Sequence, residues 1–227
     1  MSSKDKPTIS LIANRLLTLL KATRPLAGKD KERPHLMMVR FVANSLTLEA
    51  SATDGHTMGL LTAGVQACSE PVTFCIETAY LPMIEKLLSR LDQKERSEAT
   101  VEIVVGKAKV QFKIQQSEVF APKAPEQLEF PDTSRAVPER FVAGRYTAGT
   151  WGMNPELLAR VLRCAGQAGI AVEFTAPETS LSPMRLDITE NTAGYEGTFV
   201  VMPMRLDEPM SSAGGDERQT DLDEAAE

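Results

Sequence analysis

The sequence predicts an α+β protein in which helices lie on one face of antiparallel sheets. One observation is a recurring order of elements, a strand, a helix and then about three strands, which appears three times at a spacing of roughly 65 to 70 residues. A second is that each predicted helix carries one apolar stripe, and such a helix needs a sheet to lie on. The 227 residues, 42% of them hydrophobic, are enough to fill a core in one large or two modest domains.

The first repeat unit covers residues 7–70. "PTISLI" predicts a short strand, and "ANRLLTLLKATR" predicts a helix because Leu16, Leu19, Leu20 and Thr23 recur at helical spacing. Three further strands are predicted at "HLMMVRF", "SLTLEASA" and "TMGLLTA".

The second unit covers residues 71–138 and repeats this order. The strand "PVTFCIE" precedes a helix in "AYLPMIEKLLSRLD", whose stripe consists of Leu81, Ile84, Leu88 and Leu91. The strands "TVEIVVG" and "AKVQFKIQ" follow, joined by a tight turn at Gly106-Lys107. We expect residues 1–138, with both units, to form one complete domain.

The third unit, residues 139–206, stands without a second unit to pair with. It offers the strand "RFVAGRYTAGTWG" and a helix with Asn154 as N-cap, Pro155 at its first position and Glu156 in its first turn. The strands "IAVEFT", "PMRLDIT" and "GTFVVMP" complete it. We therefore interpret residues 139–206 as a half-domain.

The acidity of the chain is concentrated in residues 207–227. This tail holds eight acids and one base, so the remainder has 24 bases and 23 acids although the whole chain has a net charge of −6. Because the tail is polar, charged and free of aromatic residues, we expect it to be disordered.

The predicted helices carry basic residues outside their apolar stripes. These residues are Arg15, Lys21, Arg24, Lys86, Arg90, Arg160 and Arg163. One interpretation is an ordinary solvated helix surface. The other is a track that binds the phosphate backbone of duplex DNA without reading its sequence.

Residue patterns that would indicate catalysis or a cofactor are missing from the sequence. The two histidines, His35 and His56, are not accompanied by a Ser or Cys in a pattern typical of a catalytic nucleophile. Gly28-Lys29 and Gly106-Lys107 lack the spacing of a phosphate-binding loop. No His, Cys and carboxylate cluster has metal-ligand spacing. We therefore expect a non-enzymatic protein without cofactor or metal.

The three cysteines, Cys68, Cys75 and Cys164, are odd in number and fall in no C-x-x-C spacing. Free thiols in a reducing compartment are the simplest interpretation. Because no apolar run is long enough to cross a bilayer, we expect a cytoplasmic protein with no membrane partner.

Three short segments together resemble one known family. "ATDGHTMG" at 52–59, "FPDTSRAVP" at 130–138 and "FVVMPMRL" at 199–206 are similar, in this order and spacing, to motifs of the bacterial sliding clamp, the beta subunit of DNA polymerase III. The resemblance spans nearly all of residues 7–206. It implies the sliding-clamp fold, a ring-shaped processivity factor with helices facing DNA and sheets outside.

The resemblance also implies an apolar pocket for short peptide motifs of DNA polymerase, clamp loader and repair proteins. Carried over by position, its residues are Leu36, Thr53, Gly55, His56, Met58, Pro131, Arg135, Ala136, Pro183, Val200, Val201, Met202, Pro203, Met204 and Arg205. Flexible thioethers that adapt to varied apolar side chains suit such a pocket.

The chain departs from the family pattern in three respects. It has three units where a full clamp chain has six, Thr57 stands where a basic residue is usual, and 21 residues follow Leu206. Within the tail, Gln219–Asp223 partly resembles the motif that clamp-binding proteins present.

Because an unpaired half-domain exposes a sheet edge, we predict a homo-oligomer in which the third units of two chains complete one domain.

Two functions follow from the sequence. One is a working clamp that assembles around duplex DNA and tethers partners to it. The other is a clamp-derived adaptor, decoy or regulator that keeps the peptide pocket but does not encircle DNA.

Overall fold

Two antiparallel sheets with α-helices packed against them make up the described part of the chain. The computed structural model describes residues 6–125, 127–138, 152–169, 171–175, 179, 182–190 and 194–204. The α+β prediction is confirmed.

The first unit contains one helix and five strands. Their bounds are β1 Thr8–Ile12, α1 Ala13–Thr23, β2 Met38–Ala43, β3 Thr47–Thr53, β4 Thr57–Gly64 and β5 Ala67–Cys68. The predicted stripe of α1 is buried from Leu16 to Thr23. Strand β2 begins later than predicted because Pro34–Leu36 forms a 3-10 turn, which suits a proline at its first position.

Over its described residues, the second unit contains two helices and four strands. Their bounds are β6 Val72–Glu77, α2 Leu81–Ser89, α3 Gln93–Glu98, β7 Thr100–Val105, β8 Lys109–Ile114 and β9 Ser117–Pro122. The short helix α3 and the strand β9 are additions to the elements expected from sequence. A capping box between Asp92 and Glu95 begins α3.

The third unit follows the predicted order over its described residues. Its elements are α4 Pro155–Ala165, β10 Ala171–Thr175, β11 Met184–Glu190 and β12 Glu196–Val201. The predicted N-cap is confirmed, because the side chain of Asn154 accepts hydrogen bonds from the amides of Glu156 (2.9 Å) and Leu157 (3.4 Å). The strand expected at 140–152, except Gly152, and the tail at 207–227 lie outside the described residues.

The order of strands ties the three units together. One sheet runs β5-β1-β7-β8-β9 and the other runs β10-β11-β12-β4-β3-β2-β6. Strand β1 of the first unit pairs with β7 of the second, and β6 of the second pairs with β2 of the first. The third unit joins through β12, which pairs with β4 and sets Val200 opposite Met58.

The helices and the facing sides of the sheets enclose the core. Phe41 and Phe74 stack in it with ring centroids 5.0 Å apart. Gly59 permits a close approach, since a Cβ there would lie 2.5 Å from Leu26 Cδ1. None of the helices in the described ranges is long and apolar enough to span a membrane.

Candidate functional site

A pocket with an empty volume of about 520 Å³ lies where all three units meet. It is bounded by the β3–β4 turn, the segment 131–136 and the end of β12. The residues that line it are Leu36, Thr53, Gly55, His56, Thr57, Met58, Pro131, Asp132, Thr133, Ala136, Val200 and Met202. We call this space the apolar pocket.

The β3–β4 turn, one wall of the apolar pocket, is fixed by its own short polar side chains. Asp54 Oδ1 accepts hydrogen bonds from the amides of His56 (2.9 Å) and Thr57 (2.7 Å). Thr53 Oγ1 donates to the carbonyl of Thr57 at 2.8 Å. Gly55 has φ of +88°, a conformation that favours glycine. The sequence Thr-Asp-Gly-His-Thr therefore specifies a tight turn with His56 exposed at its tip.

A residue of the third unit holds this turn from outside. The Arg160 guanidinium, on α4, donates to Asp54 Oδ2 and, at 2.8 Å, to Thr57 Oγ1. Burial raises the pKa of Asp54, but hydrogen bonds from Thr57, His56 and Arg160 lower it, and the pKa lies below its usual value. The turn therefore carries a charged, part-buried carboxylate that is paired with α4.

The second wall comes from the end of β12. The pairing of β12 with β4 places Val200 beside Met58, and the amide of Met202 donates to the carbonyl of His56 at 2.8 Å. Met202 then lines the apolar pocket, and the residue is about two-fifths exposed (38%). Backbone hydrogen bonds therefore set the position of this adaptable side chain.

The third wall is the segment 131–136, which contains a 3-10 turn at Thr133–Arg135. Thr133 is buried, and the amide of Ala136 donates to its carbonyl at 3.2 Å. Arg135 points outward and forms a 3.5 Å ion pair with Asp132. Pro131, Thr133 and Ala136 of this segment line the pocket together with Asp132, whereas Arg135 lies outside the lining.

Most of the residues expected from sequence meet in the apolar pocket. Those that line it are Leu36, Thr53, Gly55, His56, Met58, Pro131, Ala136, Val200 and Met202. Those that lie outside its lining are Arg135, Pro183, Val201, Pro203 and Met204, and Arg205 is outside the described residues.

The absence of Val201 and Met204 from the pocket lining has structural reasons. Val201 alternates with Val200 along β12 and is fully buried in the core. Met204 forms an isolated bridge with Gly152 and is about half exposed. Thr57, Asp132 and Thr133 line the pocket without having been expected to, although each lies inside a motif segment quoted above.

A second, basic space lies between the end of α1 and α4, with an empty volume of about 1170 Å³. Its cationic lining residues are Lys21, Arg24, Lys29, Arg160 and Arg163, and none of the described residues that line it is Asp or Glu. We call it the basic groove. Its charge favours an anionic ligand such as a phosphate backbone.

Of the seven basic residues expected to face DNA, three form contacts within the protein and four are exposed. Arg24 forms a bidentate ion pair with Glu85, at 2.6 and 2.9 Å, and Arg15 donates to the carbonyl of Gly64 at 2.8 Å. Arg160 binds the turn, as described above. By contrast, Lys21, Lys86, Arg90 and Arg163 are exposed, with no acidic partner among the described residues.

Solved structures of bacterial clamps match this arrangement of sheets and helices. DNA polymerase III beta subunit from Thermotoga maritima aligns with a TM-score of 0.71 at 17% identity, over 91% of this chain and 68% of that one. The DNA polymerase sliding clamp from Bacillus subtilis aligns with a TM-score of 0.70 at 15% identity, over 91% and 66%. The chain has the sliding-clamp fold.

A putative DNA polymerase III beta subunit from Eubacterium rectale also aligns, with a TM-score of 0.72 at 11% identity, over 91% of this chain and 67% of that one. The chain therefore spans about two thirds of the length of these sliding clamps. Neither a protein-family model nor a curated protein matches the sequence.

In the described ranges, no group of three His, Cys, Asp or Glu side chains is placed to hold a metal.

Proposed function

We propose that the chain is a non-catalytic, sliding-clamp-like processivity factor that tracks duplex DNA and holds partner proteins in the apolar pocket. The observation that carries this proposal is the apolar pocket itself, assembled from three separate segments on a sliding-clamp fold. Neither role needs a cofactor or a metal, and the setting is the cytoplasm.

The chemistry of the apolar pocket suits a short peptide with large apolar side chains. Met58, Met202 and Leu36 provide adaptable apolar surface, and His56 at the rim can meet polar groups of the peptide. Partners of this kind are DNA polymerase, clamp loader and repair proteins that present short motifs.

DNA binding is assigned to the exposed cations near the basic groove and on the helices. Lys21, Lys86, Arg90 and Arg163 are available to contact phosphates, since Arg15, Arg24 and Arg160 are engaged within the protein. Contacts to phosphates carry no sequence information and weaken with salt. We therefore expect DNA affinity that is independent of sequence.

A labelled peptide tests the pocket. Gln-Thr-Asp-Leu-Phe is the tail segment 219–223 with phenylalanine in place of Asp223, and its binding is followed by fluorescence anisotropy. Met202→Ala should weaken binding about tenfold, roughly 1.4 kcal/mol, because it removes a central apolar contact. Met204→Ala is the matched control, two residues further on and outside the lining. Equal affinities for both variants would remove the pocket assignment.

Charge reversal tests the DNA role separately. The triple variant Lys21→Glu, Lys86→Glu and Arg163→Glu should bind a duplex more weakly and with a shallower salt dependence. Lys107→Glu, in the exposed β7–β8 turn, is the control. Unchanged duplex affinity together with intact peptide binding would favour the adaptor without a DNA-encircling ring.

A further inference from the structure

A row of paired residues crosses the larger sheet beneath the apolar pocket. Thr53 on β3 is paired with Met58 on β4, and Met58 is paired with Val200 on β12. Residues that are directly paired in antiparallel strands point to the same face of the sheet, and these three all line the pocket. The next residue in the row is Arg185 on β11, which is paired with Val200. Arg185 therefore lies beside the pocket, just outside its lining.

The guanidinium of Arg185 is held in one orientation by its neighbours in the sheet. Its Nε and Nη2 donate to Asp187 Oδ2 at 2.7 Å and to Asp187 Oδ1 at 2.9 Å. Thr198 Oγ1, on β12, donates to Asp187 Oδ1 at 2.6 Å. The side chains of Arg185 and Asp187 are 15% and 5% exposed, so this two-bonded ion pair is largely shielded from water. A pair of this geometry fixes the direction of the remaining guanidinium nitrogen.

That remaining nitrogen binds the end of the third wall of the pocket. Arg185 Nη1 donates to the carbonyl of Pro138 at 2.7 Å. A proline has no amide hydrogen, so the carbonyl is the backbone group through which Pro138 can be held. Pro138 follows Ala136, which lines the pocket, by two residues. Arg185 of the third unit therefore binds the chain directly beyond the segment 131–136.

Hydrogen bonds attach the chain around the third wall to the larger sheet on both sides. Before the wall, the amide of Ala124 donates to the carbonyl of Cys75 on β6 at 2.8 Å. After the wall, Pro138 accepts from Arg185. The hydrogen bond from Ala136 to Thr133 lies within the wall, so it shapes the 3-10 turn but does not fix the turn to the sheet. The attachment at Pro138 is the nearer one to the residues that line the pocket.

We propose that Arg185 is a positioning residue for peptide binding, which holds the segment 131–138 against the sheet so that the third wall is in place before a peptide arrives. The inference rests on the proposed peptide binding in the apolar pocket. Arg185 acts through Pro138 and does not touch the peptide. A site that is competent only part of the time binds more weakly by that fraction. If the wall is in place about a tenth of the time without Arg185, affinity falls about tenfold.

A double variant separates positioning from stability. Arg185→Met alone would leave the buried Asp187 without its cation and destabilise the fold, so it is combined with Asp187→Leu. Replacing a buried ion pair by apolar side chains is often close to neutral for stability, yet here it removes the bond to Pro138. The peptide Gln-Thr-Asp-Leu-Phe should bind the double variant about tenfold more weakly in fluorescence anisotropy. Glu85→Ala is the control, because it breaks the ion pair with Arg24, neither of which lines the apolar pocket. A double variant with the affinity of Glu85→Ala would overturn the proposal.

Hydrogen exchange without peptide tests the wall directly. Amides of residues 132–137 should exchange faster in the double variant than in wild type, while those of β3 and β4 keep their rates. Arg185→Lys is a second variant that retains a cation beside Asp187 but lacks the planar fork that reaches Asp187 and Pro138 together, so it should show the same local change. Unchanged exchange at 132–137 in both variants would refute the positioning role. If wild type binds no peptide, the proposed function fails, whereas the exchange result still decides whether Arg185 holds the wall.

Discussion

Replacing Arg160 with methionine should both destabilise the fold and weaken peptide binding. The substitution removes the hydrogen bonds to Asp54 Oδ2 and Thr57 Oγ1 and leaves a part-buried carboxylate without its cation. Hydrogen bonds to charged groups contribute about 1.5 to 3 kcal/mol each. The side chains of Arg160 and Asp54 are 24% and 16% exposed, so water compensates part of the loss. Arg160 Nε is also buried without an acceptor among the described residues.

We therefore expect a loss of about 2 kcal/mol in the free energy of unfolding, which is less than the roughly 3 to 6 kcal/mol of two such bonds because water compensates part of the loss. For a chain of this size that corresponds to a decrease of roughly 4 to 8 °C in melting temperature. Arg163→Met, one turn further along the same helix and exposed, is the matched control and should change stability little.

The pH dependence separates an ion pair from simple packing. The folded pKa of Asp54 lies below its ordinary value of 3.8, so its stabilisation is present above that pH and is lost as pH falls through the folded pKa. The difference between wild type and Arg160→Met, measured by urea unfolding, should be full at pH 7 and shrink below pH 3.8. A difference that stays constant with pH, or equals that of Arg163→Met, would refute this reasoning.

Three further outcomes are expected. Gly59→Ala should lower the unfolding free energy by about 2 kcal/mol in urea titrations, because its Cβ would meet Leu26 Cδ1 at 2.5 Å. Asn154→Ala should lower it by about 1 kcal/mol, whereas Asn154→Asp should preserve the cap and the stability. Burial raises the pKa of Cys164 to about 11, so in native protein at pH 8 mass spectrometry should find Cys68 alkylated well before Cys164. Equal rates at both cysteines would contradict the burial of Cys164.

Helices and strands with a strong hydrophobic period were predictable, because periodicity is a local property of the sequence. The stripe of α1 and the Asn154 cap are examples. Helix α3 was missed because residues 93–98 have no apolar stripe and none is buried. The pair Asp92 and Glu95, three residues apart, was the available signal for its start.

The lining of the apolar pocket was predictable only in part. Motif resemblance led to Met202 and Met204 alike, but their backbone hydrogen bonds place them differently. The amide of Met202 donates to the carbonyl of His56, beside the pocket, whereas the amide of Met204 donates to the carbonyl of Gly152. The partner of Arg160 was not predictable, because Asp54 is 106 residues away in sequence. Its position on α4 suggested only a basic helix surface, and solvent exposure is not visible in the sequence.

The third unit is part of the apolar pocket and not only its neighbour. Its strand β12 pairs with β4 and brings Met202 to the apolar pocket. Arg160, on α4 of the same unit, donates hydrogen bonds to Asp54 and Thr57 in the β3–β4 turn. Two separate contacts therefore join the third unit to the first, and both end at the turn that lines the pocket. A substitution that loosens either contact should weaken peptide binding as well as the fold.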